Sequence, residues 1–154
     1  LTLSKLKKLT STKRRKEIYF VSVLVNPSTV TLEKMARLKF DYLQLYDVSS
    51  KRTEQIKNKF DIKIITALTI KKLNDVKKYK DYINISEIIL FDSKGYEKSL
   101  GFNHKLLDIV PDNIKRMLAG NIQYDDKLDE YKKITDIIDI SGSLETKGKK
   151  IFQR

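Results

Sequence analysis

The chain has 154 residues, 40% hydrophobic and 34% charged, with a formal net charge of +12 at pH 7. That length suits one domain, residues 1–154, with a core of its own; no apolar run approaches what a bilayer-spanning helix needs, and no signal-peptide pattern opens the chain. With no cysteine, it can hold no disulfide, no Cys-ligated zinc and no thiol nucleophile; a reducing cytoplasm is the expected location and no membrane partner is expected.

Residues 1–9 place Leu1, Leu3, Leu6 and Leu9 at near-helical spacing between lysines, the pattern of the tail of an amphipathic helix. Residues 18–25 (IYFVSVLV) form a continuous apolar run rich in β-branched and aromatic residues, which predicts a buried strand. Asn26-Pro27-Ser28 breaks it, and Thr31 is placed to cap a helix over 32–38. Residues 41–46 (DYLQLY) read as a second strand, after which Ser49 or Ser50 opens a helix over 51–60. Residues 63–68 (KIITAL) are a third strand and 73–79 a further helix. A fourth strand, 87–92, runs into a long loop, 93–103, and a short helix around 105–109 stops before Pro111. Residues 114–119 and 137–140 read as the fifth and sixth strands, with a short helical stretch at 127–133 between them and a basic, Gly-interrupted tail from 146.

Apolar strands alternating with amphipathic helices predict βαβ units and a parallel α/β sheet. Three of the strands stop on small or acidic residues: Phe91-Asp92, Ala119-Gly120-Asn121 and Ile140-Ser141-Gly142-Ser143. In such sheets the residue just past the strand reaches the substrate, and a glycine there lets backbone N–H groups approach a phosphate. An open dinucleotide-binding sheet would carry its glycines after the first strand, where this chain has Asn26-Pro27-Ser28. Glycine turns at the last two strands suit the phosphate position of a (β/α)8 barrel, although six strands do not complete eight.

These turns, in this order, resemble phosphoribosylanthranilate isomerase, the barrel enzyme of tryptophan biosynthesis. Val21-Ser22-Val23-Leu24-Val25-Asn26 is similar to the family's third strand, V-G-V-F-V-N, and Leu43-Gln44-Leu45-Tyr46 to its fourth, Q-L-H-G. Leu90-Phe91-Asp92-Ser93-Lys94 resembles the sixth, L-L-D-A-K; Leu118-Ala119-Gly120-Asn121 the seventh, L-A-G-G; and Asp139-Ile140-Ser141-Gly142-Ser143-Leu144-Glu145 the eighth, D-V-S-S-G-V-E, followed by Gly148-Lys149 for G-x-K. The resemblance covers nearly the whole chain and implies a partial TIM barrel: strands three to eight, without the first two strands and the last helix. The family's general base is a Cys on its first strand, which these residues do not include, so the stretch alone is expected to be inactive. Departures stand at Tyr46, where the family has His, at Asn121 for Gly, and in the sixth loop, 94–102, which has fewer glycines than G-G-T-G-K-T-F.

The family reaction is an Amadori rearrangement of a small phosphoribosyl substrate, an aldose-amine becoming a ketose-amine. It needs an acid for the ring oxygen and a base for the neighbouring carbon, and no metal or cofactor. The resemblance makes Asp92 the general acid; by its position alone, a turn cap or a pair with Lys94 is the favoured reading. Gly120, Asn121, Ser141 and Gly142 are the expected phosphate-binding residues, with ordinary turn chemistry as the plainer explanation of the same pattern. Asp139 lies within its strand and is left without a role. His104, the only histidine, stands at the start of a helix near a Trp of the family pattern, and packing or capping is expected of it.

Two other functions compete. One is a different phosphate-binding barrel acting on a phosphosugar; the other is a basic non-enzymatic α/β module that binds nucleic acid. The basic residues, however, spread along the whole chain. Lys13-Arg14-Arg15-Lys16 is the one tight block, and no aromatic residues interleave with it to stack bases. A lysine-rich surface with no nucleic-acid partner is therefore expected.

Overall fold

A computed structural model of the chain describes residues 2–11, 17–93, 101–146 and 149–150. Six strands form one sheet in chain order, β1 (Val21–Val25), β2 (Tyr42–Tyr46), β3 (Lys63–Ile70), β4 (Ile88–Ser93), β5 (Arg116–Leu118) and β6 (Ile137–Ile138). The α/β alternation and the order of the six strands are as the sequence predicts. Two compact units divide the chain: Leu1–Thr66 with Asn84–Glu87, and Ala67–Ile83 with Ile88–Arg154. β3 begins in the first and ends in the second.

In the first unit, α1 (Leu3–Ser11) precedes β1, α2 (Thr29–Ala36) joins β1 to β2, and α3 (Ser50–Phe60) joins β2 to β3. β1 and β2 pair in parallel, Val21 opposite Tyr42 through Val25 opposite Tyr46. Leu43 and Leu45 alternate onto one face of β2 and pack with Leu32 and Met35 of α2, Ile56 of α3 and Ile64 of β3, all buried. The expected strand over 18–25 is shorter, because the ladder begins where β2 does: Asp41 closes it from outside, its carboxylate accepting from the Phe20 N–H at 2.6 Å. Only one side of β1 is covered. Ser22 is buried, whereas Val21, Val23 and Val25 are exposed.

The α2 helix starts earlier than expected. Ser28, not Thr31, is its cap: the Ser28 hydroxyl accepts from the Thr31 N–H at 3.2 Å, which places Thr31 inside the first turn. Ser49 caps α3 in the same way, accepting from the Arg52 N–H. At the opposite end of β3, the Glu87 carboxylate accepts from the Ile64 N–H at 2.6 Å and from the Lys57 ammonium at 2.7 Å, while Lys57 also donates to the Ile85 carbonyl. Burial alone would raise the pKa of Glu87; these donors outweigh it and hold the carboxyl below its usual range.

The second unit carries α4 (Leu73–Lys77) with a 3₁₀ turn at Lys78–Asp81, then β4, β5 and β6. Its connections after β4 and β5 are 3₁₀ helices, His104–Ile109 and Leu128–Lys133. Leu68, Ile70, Val76, Tyr79, Ile89, Phe91, Leu107, Val110, Leu118 and Ile122 form its buried cluster. β4–β5 and β5–β6 are parallel, with Phe91 opposite Leu118 and Leu118 opposite Ile138. The last strand is two residues rather than four, and half-buried rather than buried. Beyond it, β7 (Glu145–Thr146) pairs antiparallel with β8 (Lys149–Lys150).

Candidate active site

Asp92 sits at the end of β4, half-buried between Phe91 and Ser93, which are both buried. Period-2 alternation turns Phe91 into the apolar cluster and Asp92 to the other face of the sheet. Register carries that row across the unit. The Ala119 N–H donates to the Phe91 carbonyl at 3.0 Å, and the Asp139 N–H donates to the Leu118 carbonyl at 2.8 Å. One residue beyond the Phe91–Leu118–Ile138 rung, Asp92, Ala119 and Asp139 therefore stand side by side, the two carboxylates about 10 Å apart at their Cα atoms. Sequence reading left Asp139 without a role; pairing register is the signal that places it. Lys94, offered as an ion-pair partner for Asp92, lies outside the described residues, as do the rest of the loop 94–100, the Lys13–Lys16 block and Gly148.

Immediately after β5 the backbone turns over Gly120 (φ +100°) and Asn121 (φ +57°). A side chain at Gly120 would put its Cβ 2.8 Å from both the backbone nitrogen and the Cβ of Ser93. Only glycine allows this approach, so the turn lies hard against the end of the strand that carries Asp92. Asn121 departs from the glycine of the resemblance without loss of geometry, because Asn is among the residues that best tolerate the left-handed region. Its side-chain oxygen and carbonyl accept from the Gln123 amide.

Ser141 and Gly142 are exposed and lead into the short 3₁₀ turn Gly142–Leu144. The Ser143 hydroxyl donates to the Ile122 carbonyl at 3.3 Å and ties that turn to the one after β5. The four expected phosphate-binding residues thus fall on two turns joined by a hydrogen bond. Nothing lies within 4 Å of a Cβ built at Gly142, so the protein's own packing makes no demand for glycine there.

A cleft of about 400 Å³ opens beside the first turn, lined by Gly101, Phe102, Asn103, His104, Gly120, Asn121 and Tyr131. Asn103 caps the 3₁₀ helix, its side-chain oxygen accepting from the Lys105 N–H. His104 packs between two rings, 5.1 Å from Phe102 and 5.8 Å from Tyr131, and burial lowers its pKa. Tyr131 donates to the Asp126 carboxylate, which also accepts from the Gln123 N–H. No linear motif joins these three segments, so the cleft had no signature in the sequence. Among the described residues no group of three or more His, Cys, Asp or Glu is arranged to hold a metal, and no helix is long and apolar enough to cross a membrane.

In the first unit, Tyr46 ends β2 on the face opposite Leu43 and Leu45, and its phenol oxygen accepts from the buried Gln44 amide at 3.4 Å.

Comparison with known proteins gives these features a family. The N-(5'-phosphoribosyl)anthranilate isomerase of Petrotoga mobilis is 34% identical over 134 residues, 81% of this chain and 62% of that protein. The enzyme of the same name from Rhizobium leguminosarum bv. trifolii is 29% identical over 136 residues, 82% of this chain and 61% of that one. The chain spans about three fifths of the length of these curated relatives. Phosphoribosyl anthranilate isomerase from Thermotoga maritima has the same fold, with a TM-score of 0.82 over 98% of this chain and 75% of its own, at 18% identity. The sequence model for N-(5'-phosphoribosyl)anthranilate (PRA) isomerase matches residues 2–153, and the chain belongs to that family.

Proposed function

We propose that the complete protein is a PRA isomerase, with Asp92 as its general acid and Gly120, Asn121, Ser141 and Gly142 as the cradle of the substrate's phosphate. The Asp92 carboxyl protonates the ring oxygen as the bond to the anomeric carbon breaks and the amine nitrogen's lone pair completes an imine. A base then removes the proton from the neighbouring carbon, and the enolamine relaxes to the ketose-amine. The resemblance assigns that base to a cysteine, and none occurs among these 154 residues. The observation that carries the reading is the enforced closeness of Gly120 to Ser93, which holds a phosphate-type turn against the strand end bearing the acid.

On this reading β1 to β6 are the third to eighth strands of a single (β/α)8 barrel domain, a view supported by the fold match to the Thermotoga enzyme. The partner is a small phosphoribosyl substrate, the location the cytoplasm, and no cofactor takes part. The test is conversion of N-(5-phosphoribosyl)anthranilate to its ketose-amine by the complete protein. Turnover that needs no added metal supports the assignment. No turnover of this substrate, with turnover of another phosphosugar aldose, would move the protein to a different reaction.

A further inference from the structure

The cleft beside the Gly120 turn presents hydrogen-bond donors from three side chains, Asn103, His104 and Asn121. The side-chain oxygen of Asn103 is taken by the Lys105 N–H, and that of Asn121 by the Gln123 amide. What both carboxamides still offer is their NH₂ groups. His104 holds its ring between Phe102 and Tyr131, and among the described residues its nitrogens have no hydrogen-bond partner. No carboxylate lines the cleft; the nearest acid in this network, Asp126, is occupied by the Tyr131 hydroxyl and the Gln123 N–H. The side chains lining the cleft carry no carboxylate, and Asn103, His104 and Asn121 each offer a donor, which a ligand with several acceptor oxygens and negative charge would match.

We propose that this cleft extends the phosphate cradle, and that the His104 imidazole and the Asn121 carboxamide donate to the oxygens of a phosphate monoester seated on the Gly120 turn. This rests on the phosphate assignment above and adds His104, which neither the resemblance nor position in the sequence assigns. Burial lowers the His104 pKa, which favours the neutral imidazole. The titratable groups on the elements around it are Lys105 and Asp108 on its own helix, and Asp129, Glu130, Tyr131, Lys132 and Lys133 on the facing one. A dianion arriving beside the ring favours the imidazolium, so binding takes up a proton and tightens as pH falls through the pKa of the bound form, levelling off below that of the free form, while the phosphate stays dianionic.

His104 is the one histidine among these 154 residues; in the complete protein its imidazole is assigned by the signal lost in His104→Gln and then followed by NMR. The probes are inorganic phosphate and ribose 5-phosphate. The expected result is an imidazole pKa that rises on addition of either, together with shifts of the Gly120, Asn121 and Ser141 amides. Tighter binding of ribose 5-phosphate would identify the sugar phosphate, rather than free phosphate, as the ligand. His104→Leu should weaken binding roughly ten- to hundredfold, the loss of one donor to a charged group. Amide shifts at the two turns with an unmoved imidazole would overturn the role of His104 and leave the cradle standing. An imidazole response without any at Ser141 would keep the cleft as an anion site and remove the two-turn cradle. No response at either place would overturn both.

Discussion

Gly120 is the residue on which most of the site geometry turns. Its φ of +100° and its contact with Ser93 leave no room for a Cβ. Gly120→Ala should therefore cost on the order of 2 kcal/mol, from left-handed strain plus displacement of the Ser93 backbone, read as a fall in the denaturation midpoint. An unchanged midpoint would mean that β4 and the turn after β5 are not held together in this way. Asn121→Gly should be close to neutral in stability, since the backbone already occupies a glycine-like region. Gly142→Val is a different case: open space surrounds it, so stability should be retained while the Michaelis constant rises, as the new side chain blocks a phosphate rather than protein. As candidates, Asp92, Gly120, Ser141 and Gly142 stand out by residue type after apolar runs. Asp139 and His104 do not, because strand register and the meeting of three loops place them, and neither leaves a mark in linear order.

At the scale of elements, the strands were legible because buried parallel strands are written as continuous apolar runs. β2, β3 and β4 fall within one or two residues of the expected places. The misplacements have local causes. α2 begins just after Ser28 because the serine hydroxyl reaches the Thr31 N–H, three residues before the cap expected at Thr31. Ser28→Ala should cost about 1 kcal/mol, whereas Thr31→Ala should cost little. Equal losses would contradict the capping assignment. The Glu87–Lys57–Ile64 link had no sequence signal at all, its members lying 23 and 30 positions apart. Glu87 has a depressed folded pKa, so its contribution is fully present above the pKa of unfolded glutamate and disappears as pH falls through the folded value. Glu87→Gln should lower stability by about 1–2 kcal/mol at neutral pH and flatten the acid side of the stability profile. A profile as steep as the parent's would show that another carboxylate controls acid unfolding.

For the whole molecule, the +12 charge is spread along the sequence, and among the described residues several lysines face acids. Lys57 faces Glu87, Lys59 faces Glu33, Lys78 faces Asp75 and Lys132 faces Asp129. In the last three the lysine is exposed and the pair adds little stability, but all four interrupt the positive field that a duplex would need. No retention on duplex DNA at physiological salt is expected, and steeply salt-dependent binding would revive the nucleic-acid alternative. The central claim is narrower than fold or charge: a carboxyl at the end of β4 delivers the proton that opens the sugar ring. Its most direct test is steady-state turnover of N-(5-phosphoribosyl)anthranilate by the complete protein and by its Asp92→Asn variant, with melting curves taken on both. The account predicts matching melting curves and a turnover number lower by on the order of 10²–10⁴ in the variant. Turnover in Asp92→Asn within a few fold of the parent would contradict it.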